Sequence, residues 1–371
     1  MNSIRGWRSL TIAVTAIATT AALSTPSLAG TSKSAPLPEL LASVPGSHLA
    51  YVVSVSSPAC RGGSCVSLAQ VDVTGSGSSK RNLPPLRTTS GSLLGNLESL
   101  TFSTASNGYL TVTSGSGTEL FVTTDGARSW HLRLRTNSYP YQEVYATPQR
   151  VYAITGTCSG MGVCSNQHLL SAPPSGTPWM SSTPRLAGVM AGLGLVAYGN
   201  DVWIQQTQPA NVLLFHSTDD GRTFNSWNTS SLFNASTCYM SASSTLQIWA
   251  RCATGMNSVY VSSADGARHW RVIDTHGLIS NTGGGYFDPV SDRLAFVDLG
   301  ADSPAPKDDL LRLSPSGVST PVARLGCAIV NGLDFVNAHD ALVSCQRTGR
   351  TQSAVLLATS DGGRTWEPYK S

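Results

Sequence analysis

Three aspartates, Asp288, Asp298 and Asp334, are the first residues of this 371-residue chain to consider for chemistry. Two carboxyls facing each other across a glycosidic bond can act as acid and as base or nucleophile. The plainer reading of the same residues is a solvated turn or a hydrogen-bonded buried Asp. Glu143 is a second candidate. It is one of five glutamates and lies in Tyr139-Pro140-Tyr141-Gln142-Glu143-Val144-Tyr145, with three tyrosines beside it. Other chemistries find little support. There is no Gly-x-Ser-x-Gly elbow and no His-Glu-x-x-His pair, and the seven histidines are scattered. Gly283-Gly284-Gly285 precedes no helix pattern that would cradle a phosphate. The acidic run from Asp298 through Asp302 to Lys307-Asp308-Asp309 lacks the alternating oxygen spacing of a calcium loop and reads as a solvated loop. No metal or other cofactor is expected.

The elements that must position these groups are marked by a recurring turn. It reads Thr359-Ser360-Asp361-Gly362-Gly363-Arg364-Thr365-Trp366 at the end of the chain. Upstream copies run from Thr123 through Asp125 to Trp130, from Ser217 through Asp219 to Phe224, and from Ser263 through Asp265 to Trp270. In each, an Asp can accept hydrogen bonds from NH groups just ahead of it, Gly tolerates positive φ, and a hydroxyl two residues earlier can close the turn. The aromatic residue then points inward between sheets. Phe224 stands in place of Trp in one copy, and His269 in place of Thr in another.

The four Asp positions are 94, 46 and 96 residues apart, multiples of a unit near 47. Degenerate turns fill the gaps at Ser171 to Trp179, Leu313 to Gly317 and Thr74 to Ser78. Seven units with short strands and periodic Gly and aromatic residues predict an all-β fold, a seven-bladed β-propeller of four-stranded antiparallel blades, with six or eight blades as the alternatives. The first blade needs Glu39 to Val44 as its inner strand. If that stretch is used, no strand is exchanged between the termini.

The turn sequence, Ser/Thr-x-Asp-x-Gly-x-Thr-Trp, resembles the Asp-box, or BNR repeat, of sialidases, sortilin-type receptors, some glycoside hydrolases and the photosystem II assembly factor propellers. The resemblance implies that Asp125, Asp219, Asp265 and Asp361, with Trp130, Phe224, Trp270 and Trp366, are structural staples away from any ligand site. It also raises sialidase-like catalysis, in which a Tyr nucleophile is assisted by a Glu, and Glu143 with Tyr141 would take those roles. The Arg-Ile-Pro motif of sialidases does not occur.

Residues 1–29 read as a signal peptide. Arg5 and Arg8 precede an apolar stretch from Leu10 to Leu23, and Ser27-Leu28-Ala29 suits cleavage after Ala29. Residues 30–38 form a linker, and residues 39–371 the propeller. Without Arg5 and Arg8 the formal charge falls from +3 to +1, which argues against nucleic acid or an anionic membrane as partner. The eight cysteines fall by proximity into Cys60 with Cys65, Cys158 with Cys164, Cys238 with Cys252 and Cys327 with Cys345. Local disulfides suit an oxidising compartment, and no CxxC spacing favours a metal. The sequence thus predicts a secreted or extracytoplasmic bacterial protein, monomeric and without a stable membrane anchor. It is expected to bind a protein or glycan through loops at the channel mouth, or alternatively to hydrolyse glycosides. Trp179, Tyr198, Trp203, Tyr239, Trp249 and Tyr286 could supply an aromatic platform, though most such residues are expected in the core.

Overall fold

The computed structural model describes residues 37–56, 65–75, 77–84, 97–114, 117–135, 144–158, 163–186, 189–190, 193–207, 212–229, 237–254, 257–273, 286–298, 310–347 and 354–369. These residues form seven antiparallel sheets, the blades of a propeller. The first blade is β1 (Leu37–Ser43), β2 (Leu49–Ser56), β3 (Cys65–Asp72) and β4 (Ser78–Arg81). The second is β5 (Leu97–Phe102), β6 (Gly108–Ser114), β7 (Gly117–Thr123) and β8 (His131–Arg135). Blade 3 is β9 (Val144–Ala146), β10 (Val151–Cys158), β11 (Val163–Ala172) and β12 (Met180–Leu186), with a short β13 (Val189–Met190) also on β11. Blade 4 is β14 (Leu193–Tyr198), β15 (Asp201–Thr207), β16 (Val212–Ser217) and β17 (Asn225–Asn228). Blade 5 is β18 (Thr237–Ala242), β19 (Ile248–Thr254), β20 (Asn257–Ser263) and β21 (Arg271–Val272). Blade 6 is β22 (Phe287–Ser291), β23 (Leu294–Asp298), β24 (Leu310–Leu313) and β25 (Ser319–Ala323). Blade 7 is β26 (Cys327–Phe335), β27 (Ala341–Arg347), β28 (Ala354–Thr359) and β29 (Glu367–Pro368).

Each blade is contiguous in sequence, and no strand is exchanged between the chain ends. The strand needed for the first blade is used, but it begins at Leu37, so Leu37 and Pro38 belong to β1 rather than to a linker. Pro184 lies in outermost β12, where a missing NH is tolerated because one edge carries no partner. Strands buried on both faces carry a run of consecutive apolar residues. In β23 every residue of Leu-Ala-Phe-Val-Asp is buried, and in β7 every residue from Gly117 to Thr123. Ala29 and Cys60 lie outside the described residues. Cys158 and Cys164 are backbone register partners at the end of the β10–β11 hairpin. Cys238–Cys252 and Cys327–Cys345 are disulfides joining an inner strand to its neighbour. Among the described residues no helix is long and apolar enough to cross a membrane.

The four acidic turns share one hydrogen-bond pattern. Asp125 Oδ1 accepts the Arg128 NH, the Ser129 NH and the Thr123 hydroxyl at 2.9, 2.9 and 2.8 Å, and Oδ2 accepts the Ser129 hydroxyl at 2.6 Å. The same set recurs at Asp219 and Asp361, while at Asp265 the His269 ring replaces the hydroxyl, with Nδ1 2.6 Å from Oδ2. Each turn places two successive residues at positive φ. In blade 2 the second is Ala127, at 63°, a conformation costing an L-residue about 1–2 kcal/mol. Ala127 is also fully buried in the core, so in Ala127→Gly the strain relieved is offset by the lost methyl and the unfolded-state entropy of Gly. Stability is expected to change by less than about 1 kcal/mol, read as a denaturant midpoint near that of the parent at unchanged slope. In blade 4 the first positive-φ residue is Asp220, whose carboxylate meets Arg150 of blade 3 at 3.2 Å.

Candidate functional site

The inner strands β1, β5, β9, β14, β18, β22 and β26 each pair on one side, leaving the other edge toward the axis. Their registers with the second strands align Ala42, Thr101, Tyr145, Val196, Ser241, Asp288 and Asp334 at one height. Two of the three candidate carboxylates are thus neighbours on adjacent blades. Each reaches forward to the next inner strand. Asp288 Oδ2 accepts the Phe335 NH at 2.5 Å, and Asp334 Oδ2 accepts the Ser43 NH across the boundary between blades 7 and 1. The carboxylates therefore satisfy edge NH groups that have no ladder partner. Desolvation and the neighbouring Asp334 charge push Asp288 well above the ordinary carboxyl range, and desolvation also raises Asp334 against the opposing Ser43 hydrogen bonds. Asp298 ends β23 and is 3% exposed. Glu143 and Tyr141 lie outside the described residues.

Tyr145 stands at the same height on blade 3, and its hydroxyl hydrogen-bonds the Ser241 side chain on blade 5. It packs against the buried cluster of Val196, Trp203, Leu214, Ile248 and Ala267. Burial pushes its pKa up to about 12. On the strand-start side of this level Tyr239 is 59% exposed, with the Arg251 guanidinium 6.0 Å from its ring centre. Ile329 on β26 is 50% exposed, beside a doubly bulged register, and the Tyr286 hydroxyl donates to the Asn331 carbonyl. Among the described residues no group of three His, Cys, Asp or Glu side chains is placed to hold a metal ion.

Of the six aromatic residues proposed as a platform, Tyr239 and Tyr198 are exposed and Trp203 and Trp249 are fully buried. The buried ones belong to a device that links blades. Tyr51, Tyr109, Tyr152, Trp203, Trp249 and Phe296 share one register position on the second strands, and most reach toward the next blade. The Tyr51 hydroxyl donates to Ala105, Tyr109 to Pro174, the Trp203 indole to Gly266 and the Trp249 indole to Ser291, while Phe296 stacks on Phe335 at 3.8 Å. Among the aromatic residues of the acidic turns, Trp130 points the other way, its indole donating to Asn82 of the preceding blade, while Trp366 meets Phe335 of its own blade edge-on at 6.3 Å. The sequence holds a signal for the second-strand set, since Tyr109, Trp203 and Trp249 each precede their Asp by 16 residues.

Strand order and blade count define a seven-bladed propeller. Structures similar to it include YCF48 from Cyanidioschyzon merolae, with a TM-score of 0.51 and 11% identity over 89% of this chain and 94% of that one. YCF48 bound to D1 peptide also matches, with a TM-score of 0.51 and 11% identity over 91% and 94%. The β-propeller domain of the Trilobed protease from Pyrococcus furiosus, described as having an open velcro topology, matches with a TM-score of 0.58 and 8% identity over 91% and 96%. No family profile and no curated protein matches the sequence.

Proposed function

We propose that this chain is an exported propeller that binds a protein partner, or a glycan, at the face where its inner strands begin, and that it does so without catalysis. The observation that carries this reading is the use made of the paired carboxylates. Asp288 and Asp334 are engaged by backbone amides, so the geometry suits a scaffold more than an acid and base pair. YCF48, similar in fold, is known with a bound peptide, which supports a protein partner. The four acidic turns, read as Asp-boxes, support the kinship in repeat type, and the disulfides Cys238–Cys252 and Cys327–Cys345 support an oxidising location reached through cleavage after Ala29. We place the contact surface around Tyr239 and Ile329, two exposed apolar side chains at the channel mouth.

Affinity capture and a glycan array, run on the disulfide-intact protein and on a Tyr239→Ser/Ile329→Ser variant, test the reading. The expected result is a partner held by the parent and retained at least about tenfold less by the variant, a loss of about 1.4 kcal/mol. Release of fluorophore from aryl glycosides, abolished by Glu143→Gln, would replace this reading with a glycoside hydrolase.

A further inference from the structure

Six blade boundaries are crossed by the chain itself, which runs from each outer strand to the next inner strand. Between blade 7 and blade 1 it does not. The second-strand position that carries an aromatic ring in the other six blades is Leu342 here, opposite Asp334. In place of a ring stack, the contact is an aliphatic layer of Ala50, Val52, Val71, Val73 and Leu342. The Tyr369 hydroxyl adds bonds to the Asp72 and Gly77 carbonyls at 3.1 and 2.8 Å, and His48 Nδ1 meets Asp340 Oδ2 at 3.4 Å. Nearest the axis the contact is the Asp334 carboxylate on the Ser43 NH, with Asp288 behind it on the Phe335 NH.

We propose that the ring parts at the boundary between blades 7 and 1, and that the Asp288–Asp334 pair makes it part more readily at alkaline than at acidic pH. Among the described residues, the groups facing the pair are the Ser43 amide and hydroxyl, the Phe335 amide and the two carboxyls themselves. The charged groups on the adjoining hairpins are His48 and Asp340. The direction follows from linkage. In the closed ring the two carboxyls hold their protons above the ordinary range, whereas in a parted ring water reaches them and their pKa values fall back toward about 4. The closed form thus binds more protons. Its advantage is complete in acid and declines as pH rises from about 4 through the raised values. A parted boundary opens the ring sideways between β1 and β26.

Hydrogen exchange read by mass spectrometry at pH 5 and pH 8, with times scaled for the intrinsic rate, tests this. Peptides from β1 and β26 should open at least about tenfold more often at pH 8, while those from β14 to β20 change little. Asp334→Asn and Asp288→Asn should each reduce that difference and together remove most of it, and His48→Gln should leave most of it in place. A cross-boundary disulfide offers an independent check, because a Cβ added at Gly332 stands 3.7 Å from Leu41 Cβ, within disulfide range. Leu41→Cys/Gly332→Cys, once oxidised, should protect β1 and β26 at both pH values and lose that protection on reduction. Equal opening of the β14 and β18 boundary, a pH effect that survives the double Asn variant, or opening unaffected by the disulfide would each overturn the proposal.

Discussion

Replacing Trp203 with Ala is expected to destabilise the fold by about 4 kcal/mol and to lower the melting temperature by about 8 °C. The indole is fully buried against Val196, Leu214, Ile248 and Ala267, so truncation leaves a cavity shared by two blades. Its Nε1 donates to the Gly266 carbonyl at 3.1 Å, inside the acidic turn of blade 5. One face stacks on the His216 ring at 4.8 Å, and His216 in turn meets Asp201 at 2.6 Å. Trp203→Phe should cost less, about 2 kcal/mol, because it keeps most of the stack and loses the hydrogen bond. A loss below about 1 kcal/mol on calorimetry of the Ala variant would show that blades 4 and 5 do not depend on this ring.

The second large effect concerns the acidic turns and carries a pH signature. Asp361→Ala is expected to cost about 2–4 kcal/mol at neutral pH, since it removes an acceptor serving two backbone NH groups and two hydroxyls. Partial desolvation pushes this carboxyl up, but the Thr365 hydroxyl and amide, the Thr359 hydroxyl and the Arg364 amide outweigh it and bring the pKa down to about 2. A carboxyl lowered on folding contributes stability that is fully present above about 4, its unfolded value, and is lost as pH falls through the folded one. The gap between parent and variant should therefore close between about pH 4 and pH 2. Urea unfolding at stepped pH reads this directly. A gap that stays constant down to pH 2 would mean that the carboxylate charge contributes nothing. The sign is opposite to that of the Asp288–Asp334 pair, so the two kinds of aspartate can be told apart by the limb of the pH profile each one governs.

Much of the fold was legible because a turn is a local object. The degenerate turns at Thr74, Ser171 and Leu313 all fall between the third and fourth strands of their blades, as the four clear ones do. Spacing alone therefore gave the blade count. The candidate site was less legible, for a physical reason. Asp288 and Asp334 were singled out as carboxyls that could act as acid and base, yet nothing near them in sequence shows that each grips the backbone of the next blade. Tyr145 was noticed for its neighbour Glu143, while its own partner, Ser241, is 96 residues away. The second-strand aromatic residues have a fixed offset from the turns but alternate with ordinary core residues, so they read as packing until the blades are set side by side.

The unbroken run of each blade along the chain has a consequence for how the molecule is made. Neighbouring blades can dock in order as the polypeptide is delivered, because their contacts span tens of residues. The last docking event is different, since Ser43 and Asp334 are 291 positions apart. Bringing ends that distant together costs about 5 kcal/mol of chain entropy when nothing lies ordered between them. Six assembled blades hold the two edges nearly in place beforehand and remove most of that cost, so completion of the circle should be a late, fast step gated by synthesis of β26 to β29.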